Sequence, residues 1–429
     1  MVDALAAAQQ LFDLDPALVR CPYPVFAAMR ERSPVVWVEQ LEAFVVFSYD
    51  LIADVLRQPD RFSSRRATGP QTDRIIGGRI RELAQEDPDF AALVRPLMEL
   101  GSSPVLVRAD PPVHSRQRAL VNRAFRPAVV RELEPDIRTL ANNLIDQFAD
   151  RGLVELVSEY ALPIPMTVIA TALGVSLDRM DDFQRWSDGV VRGVGKSELD
   201  DDDIREIVAS RAELAAYIFE IAAEREREPR SDLVSQIVHA TIDGDRLTPY
   251  EIFEMVTQFL VAGNETTAKL IAATALVLAQ DPQLASSVRR DPEQLPGLIE
   301  ETLRLEPPST GLFRLAEEDC ELGGVPIPQG SSIWLVYAAG NRDPDHFDAP
   351  DKCLLDRPAT TPHLAFGLGP HFCIGAGLAR AEARIALECL VARCPDLSLD
   401  IPVDDVPYVE SYMVHGIRCL PLTFRAATR

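Results

Sequence analysis

Residues 366–375 read Phe-Gly-Leu-Gly-Pro-His-Phe-Cys-Ile-Gly and form the most distinctive segment of the sequence. Its glycines allow backbone turns that a Cβ atom would block, and they let the main chain approach a flat ligand closely. Cys373 precedes a helix predicted from about Gly375 to Cys394, whose N-terminus favours a thiolate. A lone cysteine lacks the paired ligands of a structural zinc site. The run therefore indicates a metal-binding thiolate or, taken in isolation, a buried cysteine in a glycine-rich loop.

The strongest helical pattern lies upstream, from about Pro249 to Gln280. In its middle, residues 262–267 read Ala-Gly-Asn-Glu-Thr-Thr and interrupt a strongly apolar segment. The Thr266 hydroxyl can donate to the carbonyl of Ala262 and loosen the helix there, and Gly263 leaves room for a small ligand against the backbone. The alternative is a solvated polar patch on a surface helix, which the apolar runs on both sides disfavour.

Charged residues at helical spacing form two further pairs. Glu301 and Arg304 are three residues apart, and His114 and Arg118 are four apart, so each pair shares one helix face. Arg314 follows the apolar segment Gly-Leu-Phe at 311–313. A single such ion pair is usually a surface feature worth well under about 1 kcal/mol. None of these residues alone indicates a function.

Taken together and in chain order, these motifs resemble those of the cytochrome P-450 superfamily, the haem-thiolate monooxygenases. The haem loop of that family reads Phe-Gly-x-Gly-x-x-x-Cys-x-Gly, and every fixed position is present in residues 366–375. The resemblance covers nearly the whole chain. It implies a mainly α fold with minor β structure, in a single domain over residues 1–429, with haem between the long central helix and the cysteine loop. We expect a β-containing lobe mostly within 1–60 and 305–429 and a helical lobe at about 61–304.

The resemblance also implies a role for each motif. Cys373 becomes the axial ligand of the iron of haem b (iron protoporphyrin IX), where a thiolate favours O–O cleavage. Glu265 and Thr266 become the acid–alcohol pair that delivers protons. Glu301 and Arg304 lock the region that supports the haem loop, and their third partner is either Lys352, which lacks a guanidinium fork, or Arg357. The other cofactor contacts, including those to the propionates, are expected from His114, Arg118, Ala262, Gly263, Arg314, Phe366, Gly367, His371 and Gly375.

A substrate pocket is expected above the haem. Besides Ala262 and Thr266, its walls are predicted to contain Leu97, Met98, Val105, Phe259, Leu312, Phe313, Tyr412 and Met413. Most of these side chains are apolar, which indicates a hydrophobic small-molecule substrate such as a terpenoid, steroid, fatty acyl or polyketide compound. The region from Arg61 to Val107 has a weak pattern, typical of a long loop with short helices.

Composition excludes several classes of function. The 43 basic and 66 acidic residues give a net charge of −23, the wrong sign for non-specific binding to nucleic acid or to an anionic membrane surface. No run of 18 apolar residues occurs, so no membrane span is predicted. The seven cysteines lack the spacing of a disulfide framework, and the N-terminus lacks the basic region of a signal peptide, so we expect a cytoplasmic protein.

Electrons must come from a separate protein, since the chain contains no visible flavin or iron–sulfur motif. The resemblance implies dioxygen as co-substrate and a ferredoxin with its reductase as partners. We expect the ferredoxin to dock on a basic patch of Arg116, Arg123, Arg126, Arg380 and Arg384. The alternatives are a peroxide-dependent or non-oxidative haem-thiolate enzyme, a non-catalytic haem-binding sensor or carrier, and a helical scaffold in which the cysteine loop is incidental.

Overall fold

Helices make up most of the molecule. The computed structural model describes residues 4–70, 76–100, 103–196, 199–242, 244–358 and 362–426. The helices of these ranges are α1 (Ala4–Phe12), α2 (Pro16–Arg20), α3 (Tyr23–Arg32), α4 (Tyr49–Leu56), α5 (Gly77–Glu86), α6 (Pro88–Glu99), α7 (Val113–Val121), α8 (Pro127–Asp146), α9 (Pro163–Leu173), α10 (Met180–Val191), α11 (Asp201–Arg227), α12 (Leu233–Val238), α13 (Pro249–Gln280), α14 (Pro282–Arg290), α15 (Leu295–Leu305), α16 (Tyr337–Gly340) and α17 (Ala376–Arg393). The predicted mainly α fold is confirmed.

The β structure is small and joins distant parts of the chain. Its strands are β1 (Val35–Val38), β2 (Ala43–Val46), β3 (Phe62–Ser63), β4 (Leu153–Glu155), β5 (Thr241–Ile242), β6 (Asp245–Arg246), β7 (Leu312–Ala316), β8 (Cys320–Leu322), β9 (Val325–Ile327), β10 (Ser332–Leu335), β11 (Ser398–Leu399) and β12 (Pro421–Thr423). One sheet has the order β1-β2-β10-β7-β3, in which β10 runs parallel to β2. Strand β4, from the middle of the chain, pairs with β12 near its C-terminal end.

Helix α13 has the bounds that the sequence predicts, Pro249 to Gln280. A capping box between Thr248 and Glu251 satisfies backbone amides at its start, and Pro249 occupies the first turn, where its missing N–H costs nothing. With 32 residues at a rise of about 1.5 Å each, the helix is about 48 Å long. Its C-terminal half is buried in the largest hydrophobic cluster, together with residues of α8, α15 and α17.

The region from 61 to 107 contains helices, as the prediction of a long loop with short helices implies, and its described part is more helical than loop-like. It contains α5 and α6, helices of 10 and 12 residues. Phe90 and Val94 of α6 pack with Ile204 and Val208 of α11, more than one hundred residues away. This contact lies outside any local window, which is why the pattern in the sequence was weak. Within the described ranges, every helix is too short or too polar to cross a bilayer.

Candidate active site

A cavity of about 330 Å³ lies between α13 and the loop formed by residues 366–375. Cys373 lines one side, and Ala262 and Thr266 of α13 line another. Many residues predicted for the site meet on this cavity although they are far apart in sequence. These are His114, Arg118, Phe259, Ala262, Thr266, Leu312, Arg314, Phe366, Gly367, His371 and Cys373.

The cysteine loop is held by its own backbone. The N–H of Cys373 donates to the carbonyl of Phe366 at 2.9 Å and closes the loop. Gly367 and Gly369 have φ angles of 66° and 68°, in the left-handed region that favours glycine. A Cβ atom on Gly369 would also lie 2.5 Å from the carbonyl oxygen of Leu56. The spacing of these glycines is therefore required by the turn itself.

Two opposing effects act on the Cys373 thiol. Burial raises its pKa, while the backbone N–H of Gly375 and the guanidiniums of Arg118 and Arg380 favour the thiolate and oppose that rise. The net direction is upward, so the helix N-terminus does not by itself produce the thiolate that the sequence predicts. A metal ion bound to the sulfur would supply the missing stabilisation, because a coordinating thiol is deprotonated by the metal.

Four basic side chains converge on one end of the cavity: His114, Arg118, Arg314 and His371. Arg118 donates to the amide oxygen of Asn122 at 3.1 Å and to the carbonyl of Phe372 at 2.7 Å. Arg314 donates to the carbonyl of Phe313 at 2.7 Å. These partners are neutral oxygens, so the contacts do not compensate either charge.

His371 shows how strongly positive this end of the cavity is. Burial is the largest cause of its lowered pKa, and the charges of Arg314, His114 and Arg118 lower it further, to about 3. The rings of His114 and His371 lie 4.1 Å apart between their centroids. A ligand with carboxylate groups would relieve this repulsion. The donor set therefore suits the two propionates of a haem.

Glu301, Arg304 and Arg357 form a buried network of ion pairs and hydrogen bonds. Glu301 accepts from Arg304 at 2.8 and 2.9 Å and from the backbone N–H of Leu354 at 2.9 Å. Arg357 Nε lies 2.9 Å from Glu301 Oε1, and Lys352 contributes only its carbonyl, which accepts from Arg304. The third partner is thus Arg357. Burial raises the pKa of Glu301, but the hydrogen bonds from Arg304, Leu354 and Arg357 outweigh burial and hold the pKa below its ordinary value.

Comparisons with known proteins identify the family of the chain. The family model described as cytochrome P450 matches residues 83–405. The chain is 37% identical to cytochrome P450 107B1 of Saccharopolyspora erythraea over 415 residues, 96% of this chain and 97% of that protein.

The chain belongs to the cytochrome P450 family.

Two further P450 relatives are known by the compound that they act on or bind. The chain is 33% identical to the vitamin D(3) 25-hydroxylase of Pseudonocardia autotrophica, covering 94% of this chain and 93% of that protein. The structure is similar to that of CYP109E1 from Bacillus megaterium in complex with testosterone, with a TM-score of 0.79 and 32% identity, covering 94% of this chain and 99% of that chain. The relatives of this chain include proteins named as monooxygenases and hydroxylases, and the chain is accordingly a haem-thiolate monooxygenase.

The residues of the cavity fit the haem that a P450 uses. When bound to a cysteine thiolate, haem supplies an iron centre that activates dioxygen. Cys373 would hold the iron, and His114, Arg118, Arg314 and His371 would hold the propionates. Phe366 and Gly367 line the cavity beside the sulfur, where the absence of a side chain at Gly367 allows close approach.

The polar segment of α13 agrees with the prediction at one residue and differs at two. The Thr266 hydroxyl donates to the carbonyl of Ala262 at 2.7 Å, as predicted. Glu265 does not line the cavity, because its carboxylate accepts from Lys269 Nζ at 3.0 Å on another side of the helix. Gly263 does not face the cavity either. A Cβ atom there would meet the side chain of Ile169, 3.6 Å away.

Six residues predicted for the substrate pocket do not line the cavity. Phe313 is buried and stacks on Trp334, on the face of β7 opposite to Leu312 and Arg314, because neighbouring residues of a strand point to opposite faces. Met98, on α6, is 66% exposed. The other four are packed into hydrophobic clusters: Leu97, Val105, Tyr412 and Met413.

Several lining residues escaped the sequence analysis, namely Leu106, Val107, Gln258, Thr267, Pro308, Ser309 and Ile374. Gln258 could have been found, since it lies four residues before Ala262 and eight before Thr266 on the same face of the helix. Its side chain accepts from the N–H of Val107 at 3.3 Å and donates to the carbonyl of Val105 at 3.0 Å. No local pattern distinguishes Ser309, which is brought to the cavity by the chain after α15.

Glu382 of α17 is a further residue that the sequence did not predict for the site. It is buried beside Thr267, whose hydroxyl hydrogen-bonds to it. Burial raises the pKa of Glu382 to about 8, and the hydrogen bond from Thr267 opposes this only in part. The signal was present in the sequence, because Glu382 continues the otherwise apolar stripe of Leu378, Ile385 and Cys389.

The raised pKa of Glu382 predicts a pH-dependent cost in stability. Its unfolded-state pKa is near 4.5 and its folded-state pKa about 8, so the folded chain binds the additional proton between these values. The free energy of unfolding of the wild type should fall, relative to that of Glu382→Gln, by about 1.4 kcal/mol per pH unit across this window. Denaturant unfolding of both proteins from pH 5 to pH 8 measures this difference.

The matched control is Glu388→Gln on the same helix, whose carboxylate is paired with Arg138 and Arg384. The difference in free energy of unfolding between the wild type and Glu388→Gln should not change in this way with pH. Parallel pH profiles for the wild type and Glu382→Gln would contradict the prediction.

Proposed function

We propose that this P450 inserts one oxygen atom from dioxygen into a C–H or double bond of a hydrophobic small molecule. A steroid, terpenoid, fatty acyl or similar skeleton suits the cavity. Two relatives support the steroid-like class, since one is a vitamin D(3) 25-hydroxylase and the structure of another was solved with testosterone. The proposed cofactor is haem b, the proposed compartment is the cytoplasm, and residues 1–429 would form one domain.

The observation that carries this proposal is the largely apolar lining of the cavity. Its apolar residues include Leu106, Val107, Phe259, Ala262, Pro308 and Leu312. Besides the four basic side chains, its polar residues include Gln258, Ser309, Thr266 and Thr267. A lining of this kind binds an apolar body by excluding water and orients it with a few polar contacts.

In this proposal two residues of the chain, Glu265 and Thr266, transfer protons from solvent to the cavity. Thr266 lines the cavity, and its hydroxyl is held in a fixed position because it donates to the carbonyl of Ala262. Glu265 precedes it and is held by Lys269. In the proposed relay Glu265 turns toward the cavity, takes up a proton from solvent and passes it to the Thr266 hydroxyl, which passes one on to the reacting oxygen.

Electrons would come from a ferredoxin and its reductase. The basic patch expected for docking is smaller than the sequence suggests, because three of its five arginines are engaged in pairs with carboxylates. Arg116 pairs with Glu251, Arg380 with Glu300, and Arg384 with Glu134 and Glu388. The remaining candidates are Arg123 and Arg126, which are exposed before α8.

A ligand panel tests the proposed function. Steroids, terpenoids and fatty acids are titrated into the haem-loaded protein, and binding is read from the spin-state change of the haem. Binders are then incubated with reduced ferredoxin and dioxygen, and the products are analysed. An oxygenated product that requires both reductant and dioxygen supports the proposal. Turnover with peroxide alone would favour a peroxide-dependent enzyme, and binding without turnover would favour a sensor or carrier.

Thr266→Ala tests the proton relay. The variant should keep haem and substrate binding, because the lost hydroxyl touches neither the thiolate nor the propionate contacts. It should form several-fold less product per electron and release the difference as hydrogen peroxide. The measurement compares product and peroxide formed per reductant consumed.

Thr274→Ala is the matched control. Thr274 lies on the same helix and makes the same kind of bond, from its hydroxyl to the carbonyl of Leu270 at 2.8 Å, but it does not line the cavity. Its loss should leave the yield of product per electron unchanged. Equal coupling in Thr266→Ala and the wild type would remove the argument for the relay.

A further inference from the structure

Arg380, in the first turns of α17, is held in place by a carboxylate from α15. Its Nε and Nη2 atoms donate to the two oxygens of Glu300 at 2.7 and 2.8 Å. Glu300 is itself held by His363, whose Nε2 lies 3.2 Å from Oε2. A bidentate pair of this geometry fixes the plane of the guanidinium. Arg380 is therefore engaged within the chain and poorly suited to dock a ferredoxin.

The fixed guanidinium lies on the cysteine loop. Its central carbon is 4.5 Å from the centre of the Phe366 ring, a cation–π contact. The carbonyl of Phe366 accepts from the N–H of Cys373, and both residues line the cavity. A second guanidinium reaches the loop from elsewhere, since Arg118 Nη2 donates to the carbonyl of Phe372 at 2.7 Å. Two positive charges thus stand near the sulfur.

We propose that Arg380, clamped by Glu300 against the Phe366 ring, is a positioning residue that raises the reduction potential of the thiolate-bound haem. The inference rests on the proposed function in taking Cys373 as the iron ligand. Reduction brings one electron from an external donor, converts ferric to ferrous iron and adds one negative charge to the site without breaking a bond. A fixed cation near the sulfur stabilises the state with the additional negative charge.

Arg380 and Glu300 carry opposite charges, so removing each one should shift the reduction potential in opposite directions. A purely structural role of the pair would not produce shifts of opposite sign. In Arg380→Gln the cation is lost, and the equilibrium constant for reduction should fall about tenfold, or 59 mV for one electron. In Glu300→Gln the counter-charge is lost while Arg380 remains, so the potential should rise. Arg380→Lys keeps the charge and should restore most of the wild-type potential.

The measurement is a dithionite titration of the haem-loaded protein with mediator dyes and without ferredoxin. Arg384→Gln is the matched control, because Arg384 lies one helical turn further along α17 and pairs with Glu134 and Glu388 away from the Phe366 ring. Its removal should leave the potential unchanged. The control separates a specific effect of Arg380 from a general loss of positive charge on this helix.

Three results would overturn the inference. They are an unchanged potential in Arg380→Gln, an equal shift in Arg384→Gln, and shifts of the same sign in Arg380→Gln and Glu300→Gln. Slower reduction by ferredoxin at an unchanged potential would assign Arg380 to docking instead. A wild-type protein that lacks the thiolate signature would refute the proposed function, which is a distinguishable outcome.

Discussion

Cys373→Ala is expected to lose the thiolate signature in the spectrum of the reduced, carbon monoxide-bound protein. Of the described residues that line the cavity, Cys373 is the one that carries a sulfur atom, so no neighbour can replace it as a thiolate ligand. The fold should persist, because the loop is closed by the backbone bond to Phe366 rather than by the thiol. Product formation should fall to background, since the thiolate supplies the electron density for O–O cleavage.

Cys21→Ala is the control for this variant, because Cys21 is exposed at the end of α2. It should retain the full signature. A thiolate signature that survives in Cys373→Ala would show that the ligand assignment is wrong and would remove the basis for the proposed function.

Glu301→Ala is expected to give an unstable protein with little haem. The side chains of Glu301 and Arg304 are 4% and 1% exposed, so the mutation leaves a buried guanidinium without its counter-charge. Breaking a buried pair from one side costs about 3–5 kcal/mol, a large share of the 5–15 kcal/mol that stabilise typical proteins. Arg304 also donates to the carbonyls of Asn341, Pro350 and Lys352, so the segment before the haem loop loses its anchor.

The measurement is haem content per chain together with the free energy of unfolding. Glu317→Ala is the control, because Glu317 forms an exposed pair with Arg65 that should contribute less than about 1 kcal/mol. Normal haem content in Glu301→Ala, with a loss of stability no greater than in the control, would show that the network is dispensable.

Regular elements with strong local signals were predictable from the sequence. Helix α13 was predicted with its observed bounds because Thr248 and Pro249 mark a helix start beside an apolar pattern within one window. The bounds of α5 and α6 were not predicted, since the apolar residues of α6 pack against Ile204 and Val208 of α11. A local window of sequence contains the signals that start a helix, but it does not contain the distant residues against which a helix packs.

The pocket prediction was wrong at six residues for a related reason. Leu312 and Phe313 are adjacent and both apolar, yet one lines the cavity and the other stacks on Trp334. Which face of β7 points to the cavity depends on how β10 and β3 pair with it, and that pairing involves segments far away in the chain. The resemblance implied an apolar pocket, and Phe259, Ala262, Thr266 and Leu312 of its predicted walls line the cavity.

Residues close together in the chain specify the turns of the 366–375 loop and the bond from Thr266 to Ala262, because backbone hydrogen bonds and glycine conformations act over a few residues. Packing of distant segments set the partners of two other charges, Arg357 for Glu301 and Glu300 for Arg380. It also decided that Glu382 is buried with a raised pKa. The physical reason is range, since Coulomb energy and desolvation depend on the distances that packing creates, and most of those distances join residues far apart in the chain.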